Sequence, residues 1–162
     1  MRSSGKAEKS VWVVGVGNPL ALDEGVGPAA VERLKVEPLP ARVVLLDAGT
    51  DFVAAMMEFA DAGHVILIDA MRAGGAPGTI YRLTLEELEE RAKAGASDLS
   101  AHGLGVVEAV GLARAAGMRV PRTVVLGVEP GEVAFGEGLS PAVEAAMQRL
   151  VAAVRVEILR AF

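Results

Sequence analysis

Few side chains in this sequence can do chemistry. There is no cysteine, and the only histidines are His64 and His102. Thiolate nucleophiles, disulfides, Cys-based zinc sites and Cys-ligated iron–sulfur clusters are therefore excluded, and one chain cannot supply a three-His metal site. Carboxylates carry what remains. Asp23 and Glu24 follow the segment Gly15-Val16-Gly17-Asn18-Pro19-Leu20, Asp47 and Asp69 each end an apolar run, and His102 lies in the polar stretch Asp98-Leu99-Ser100-Ala101-His102-Gly103. One imidazole with two or three carboxylates makes an open site for a divalent transition metal such as nickel or zinc. A carboxylate such as Asp47 or Asp23 can instead act as general base on a water. A single Asp after a strand more often serves a turn, and a lone His more often caps or is solvated, so the weight rests on the acids occurring together.

Two other constellations fall away on inspection. Gly15-x-Gly17 after a Val-rich run admits a dinucleotide site with Asp47 on a ribose hydroxyl. Against it, Leu20 takes the place of the third glycine, Pro19 stiffens the loop, and Asp23 and Glu24 put negative charge where a helix start would attract a pyrophosphate. Asp98, Ser100 and His102 suggest a Ser-His-Asp triad, yet no Gly-x-Ser-x-Gly elbow presents a serine. No His-Glu-x-x-His motif occurs either.

The positioning elements are legible as alternating strands and helices. Val11 to Gly17, Ala41 to Ala48, His64 to Ala70 and Thr123 to Val128 are nearly continuous apolar runs, as expected of strands buried on both faces. Gly78 to Leu83 alternates like a strand with one wetter face. Helices are expected over Asp23 to Lys35, over Asp51 to Ala60 with Thr50 or Asp51 as N-cap, and from the capping box at Thr84-Leu85-Glu86-Glu87. Gly103 to Gly117 and Pro141 to Leu159 complete the set. Such alternation predicts one three-layer α/β/α domain over 11–162, behind a flexible leader over 1–10, with a mostly parallel sheet and ligands at the carboxyl ends of its strands. Glu24, Asp47 and Asp69 can converge there.

Composition narrows the partners. The chain has 162 residues, 52% hydrophobic and 23% charged, enough for a sizeable core and incompatible with intrinsic disorder. Sixteen Lys and Arg against 21 Asp and Glu give a charge of -5, and aromatics are 4%. Without a basic, aromatic-laced patch, nucleic acid is a poor partner. Arg2, Lys6 and Lys9 before Val11 imitate a signal peptide, but the apolar run passes directly into Gly17-Asn18-Pro19 and acidic residues. No apolar stretch reaches the roughly 18 residues needed to span a bilayer. The expectation is a cytoplasmic protein without membrane insertion.

Taken in order, Gly-x-Gly-Asn-Pro-Leu with Asp23-Glu24-Gly25-Val26-Gly27, Asp47-Ala48-Gly49-Thr50, Asp69-Ala70, Ser100-Ala101-His102, Gly127-Val128-Glu129-Pro130 and Gly138-Leu139-Ser140-Pro141-Ala142-Val143 carry a specific likeness. The chain resembles the hydrogenase maturation endopeptidases, which remove a C-terminal peptide from the large-subunit precursor of nickel–iron hydrogenases. The resemblance implies a twisted five-stranded mixed sheet with one antiparallel strand, which suits Gly78 to Leu83. It also implies that Glu24, Asp69 and His102 contact nickel already inserted in the precursor, with zinc or cadmium able to substitute, so that the metal signals readiness for cleavage. The general base stays open between Asp23 and Asp47, as does direct polarisation of the scissile carbonyl by the metal. A metal-sensing binding module that has lost cleavage would share these features.

Overall fold

The computed structural model describes residues 10–95 and 101–162, with residues 101–104 described through their backbone alone. The expected leader up to Lys9, together with Asp98 and Ser100, lies outside the described residues. Ser10 already belongs to the fold, since its carbonyl accepts the N–H groups of Gly63 and His64 at 2.9 and 3.3 Å.

Five strands follow the apolar runs: β1 Val11–Val16, β2 Val43–Gly49, β3 His64–Ala70, β4 Ile80–Thr84 and β5 Arg122–Val128. They form one sheet in the order β2-β1-β3-β5-β4, in which only β4 runs antiparallel. The chain first winds from β1 outward to β2 and then crosses back to β3, so the switch point that usually holds a ligand lies at the carboxyl ends of β1 and β3.

Helices cover both faces, and strand parity decides which side chain meets which helix. Val11, Val13, Ile66, Ile68, Leu126 and Val128 pack with α1 (Val26–Leu34) and α5 (Pro141–Ala161). Val14, Val16, Val65, Leu67 and Val125 pack with α2 (Phe52–Phe59), α3 (Leu85–Lys93) and α4 (Ala101–Ala115). Two dry cores back onto one sheet. Fully burying one such aliphatic side chain contributes about 1.5–3 kcal/mol, and the many residues sealed from solvent make the sheet a rigid platform.

Local signals set the starts of two helices as the sequence suggests. Asp51 caps α2 by accepting the Ala54 N–H at 2.9 Å. Thr84 and Glu87 close the expected capping box on α3 at 3.2 and 2.7 Å. The segment expected as one helix over Asp23 to Lys35 is instead split into a 3-10 turn, Leu22–Gly25, and α1. The reason is that Asp23 does not serve the helix dipole but turns inward to bond distant loops, and Gly25 takes the position before α1.

Candidate active site

The turn that carries Asp23 and Glu24 lies across the carboxyl edge of the sheet because glycines let backbones meet there. Gly17 adopts φ +144°, and a Cβ on it would press into the Glu24 carbonyl. A Cβ on Gly27 would press into Val16 O and lie 2.6 Å from Ile68 O. Only a residue without a side chain allows α1 to start against the ends of both β1 and β3. The same turn holds the one non-glycine residue with positive φ among the described residues, Leu22 at +50°. A branched residue there is strained by roughly 1–2 kcal/mol. Two hydrogen bonds to the 132–136 loop, Leu22 N–H to Gly136 O at 3.2 Å and Asp23 N–H to Glu132 O at 3.1 Å, hold it in place.

Asp23 is fully buried and its carboxylate takes four donors. Oδ2 accepts the N–H groups of Gly131 and Glu132, both at 2.8 Å, and the Ser140 hydroxyl at 2.6 Å. Oδ1 accepts the Ser140 N–H at 2.7 Å. Burial pushes the carboxyl upward, yet the hydrogen bonds from Ser140, Glu132 and Gly131 outweigh it and hold the group below the ordinary 3.8. The charge thus fastens the loop after β5 and the start of α5 onto the turn. No lone pair of this carboxylate is left facing solvent.

Asp47 and Asp69 leave the sheet on opposite faces, which the expectation of three converging acids did not anticipate. Val43 and Leu45 pack on the α1/α5 side, so Asp47, two residues on, points the same way. It is exposed, its Oδ1 accepts the Gly49 N–H at 2.9 Å, and it lines an open groove with Pro19, Leu22, Pro28 and Leu139. Val65 and Leu67 pack on the α2/α4 side, and Asp69 follows them. It is buried in a recess walled by Met71, Leu88 and Val106, with Oδ1 accepting the Ala70 N–H at 2.8 Å.

The third element of the site is the start of α4. Its 15 residues span about 22 Å at 1.5 Å per residue. A short connection over 116–121 leads into β5, which parallels β3, so α4 runs against the strands and begins at their carboxyl edge. Its packing places that start on the Asp69 face. His102 is the second residue of this helix, and its side chain lies outside the described residues. Glu24 is half-buried on the turn that packs against β3. Among the described side chains no three His, Cys, Asp or Glu groups assemble into a metal cluster. Glu24 and Asp69 both lie at this edge, and a carboxylate–carboxylate–imidazole set of the kind expected from the sequence would suit a borderline divalent ion.

A third buried carboxylate shapes the neighbourhood. Glu129 Oε2 accepts the Ala73 N–H at 2.7 Å and the Tyr81 hydroxyl at 2.8 Å, and the same Tyr81 oxygen accepts the Gly75 N–H at 3.0 Å. Burial and the adjacent Glu129 carboxylate push the Tyr81 phenol above its ordinary 10.0. This network ties the 71–79 loop, which continues from Asp69, to the end of β5. Sequence reading assigned no role to Glu129, Tyr81 or Ser140, because each bonds across 48 to 117 residues.

The glycines of the first loop thus serve backbone packing, and the dinucleotide reading loses its basis. Comparison with known proteins points elsewhere. The family profile described as hydrogenase maturation protease matches residues 28–157. The hydrogenase 2 maturation protease of Escherichia coli (strain K12) is 33% identical over 151 residues, covering 90% of each chain. The hydrogenase expression/formation protein HupD of Rhodobacter capsulatus is 36% identical over 135 residues, which are 82% of this chain and 63% of that one. This chain therefore spans under two thirds of the latter protein. The solved structure of the hydrogenase maturating endopeptidase HybD from E. coli superposes with a TM-score of 0.82 at 31% identity, covering 93% of both chains.

Proposed function

This chain belongs to the hydrogenase maturation protease family, a family of peptidases, and on that premise we propose that it removes the C-terminal extension of a nickel–iron hydrogenase large-subunit precursor once nickel is in place. The nickel is part of the substrate. Glu24, Asp69 and His102 are assigned to contact it, with zinc or cadmium able to take its place. Three protein ligands leave coordination positions for the precursor's own groups. Affinity for the metal alone should be low and should fall further as the imidazole protonates. The proposed setting is the cytoplasm, and no helix among the described residues is long and apolar enough to cross a membrane.

The observation that carries the reading is the division of acids at the carboxyl edge. Asp69 and the start of α4 occupy one face, exposed Asp47 the other, and the glycine-packed turn with Glu24 lies between them. We assign Asp47 as general base. A single hydrogen bond from Gly49 leaves its carboxylate capacity to hold a water beside a peptide in the groove and to accept that water's proton as it attacks the scissile carbonyl. Asp23, with four donors already on its oxygens, is assigned to positioning the turn.

The test is intact-mass spectrometry of a cognate nickel-loaded precursor incubated with the protein and with His102→Ala. Loss of a C-terminal fragment only with the parent protein, and only with nickel present, is expected. A precursor that binds but stays whole would instead indicate a metal-sensing module without protease activity.

A further inference from the structure

We infer that the free edge of β2 is the binding track for the precursor's C-terminal extension, which docks as an added antiparallel strand descending from Asp47 toward Arg42. The inference rests on the proposed peptidase function and names where its substrate lies. β2 is an outermost strand of the sheet. The Val11 N–H bonds the Arg42 carbonyl at 3.0 Å, and Val11 pairs with Val43, so the backbone groups of Arg42, Val44 and Leu46 face β1. Those of Val43, Leu45 and Asp47 face away. The Val43 N–H is taken by the Pro40 carbonyl at 3.0 Å, whereas Leu45 and Asp47 point N–H and C=O groups outward without a backbone partner among the described residues. Two outward residues separated by one are the repeat with which an antiparallel neighbour exchanges pairs of hydrogen bonds.

Sheet edges in soluble proteins are commonly guarded by Lys, Pro, or an inward charge. β2 has none of these from Val43 to Leu46, all four being half-exposed apolar residues. The opposite edge differs, because β4 carries Arg82 at its centre, paired with Glu157 at 2.5 Å. The occupant follows from where the unguarded edge ends. Its last outward residue, Asp47, also lines the groove over Pro19 and Leu22, so the track is continuous with the proposed cutting position. A chain whose nickel-bearing part sits at the Asp69 face must cross the turn before it reaches Asp47. Everything after the cut then runs down β2, antiparallel to it, and main-chain bonding holds it with little regard to its sequence.

Two measurements test this. In Leu45→Pro, a replacement tolerated on edge strands whose N–H faces solvent, the β1 ladder is kept and one docking donor is lost. Cleavage of the nickel-loaded precursor should show a KM raised about five- to tenfold with kcat little changed. In the parent protein, pulse-labelled amide exchange during the first turnover should show the Leu45 and Asp47 amides protected by the precursor and not by the processed subunit. Shortening the extension from its C-terminus should release Leu45 before Asp47. Normal cleavage with no protection at β2, or protection that rises with protein concentration in the absence of precursor, overturns the track; the latter marks a second copy as occupant. Precursor bound but never cut would instead refute the peptidase reading, and this inference with it.

Discussion

Replacing Asp23 by Asn isolates what one buried carboxylate does for the site. The substitution keeps the shape but leaves one acceptor oxygen where two served four donors. With the amide oxygen at the Oδ2 position, the NH2 group faces the Ser140 N–H and leaves that donor unsatisfied, at about 1–3 kcal/mol. The three remaining bonds lose the strengthening that an ionised acceptor supplies. Together, one unsatisfied donor and three bonds that are no longer charge-assisted should cost about 3–5 kcal/mol. For a chain of this size that lowers Tm by roughly 6–20 °C. The pH profile supplies a second signature. The folded carboxyl sits below 3.8 while the unfolded one does not, so the unfolded state binds more protons in between. The stabilisation is complete above the unfolded pKa and is lost as pH falls through the folded one, and Asp23→Asn should remove that acid-side slope. Urea unfolding at neutral pH and at a series of acidic pH values measures both. A variant as stable as the parent yet unable to cleave would refute the reasoning and return Asp23 to catalysis.

Asp47→Asn should lower kcat for precursor cleavage by about a hundredfold or more while leaving Tm unchanged, since the side chain is exposed; unaltered cleavage removes it from the mechanism. His102→Ala should bring cleavage of the nickel-loaded precursor down to the undetectable level of the nickel-free one in intact-mass spectra; cleavage at the parent rate removes His102 from metal contact. Gly27→Ala would set a Cβ 2.6 Å from Ile68 O, and the overpacking should cost about 1–3 kcal/mol or more in urea unfolding. Glu157→Gln weakens the carboxylate that Arg82 and Arg160 share and that Arg82 holds below 4.5. Because Arg82 is 43% exposed, the expected loss is only about 1–2 kcal/mol, with a flatter stability profile on the acid side.

The strands were legible because a strand covered on both faces can tolerate only apolar side chains, and four such runs stand between turn residues. The capping box at Thr84 and the cap at Asp51 were legible because their partners lie three residues away. Asp23 shows the limit. An acid beside a helix start reads as a dipole partner, and nothing near it in sequence reveals that its donors are Gly131, Glu132 and Ser140. The separation of Asp47 from Asp69 was hidden for a different reason. Parity within each strand is readable, but which face it meets depends on strand order. With β1 between β2 and β3, the crossovers through α1 and α2 lie on opposite sides, and parity in β2 and β3 could be related only through that order.

That division gives the proposed chemistry a spatial logic. If metal contact and water activation shared one face, a peptide without nickel could reach the base as readily as one with it. With the sheet between them, a precursor must bridge the carboxyl edge to use both, crossing the turn that Gly17 and Gly27 press onto the strands. On that proposal, contact at the Asp69 face would set how far the following chain can extend toward Asp47, and a precursor whose metal centre is incomplete would present its extension in the wrong place. On the proposed function, rigidity of the turn would be part of specificity. The four donors on Asp23 and the hydrogen bonds that hold Leu22 at φ +50° keep the two faces in fixed relation, which explains why a buried charge and a strained residue stand side by side there.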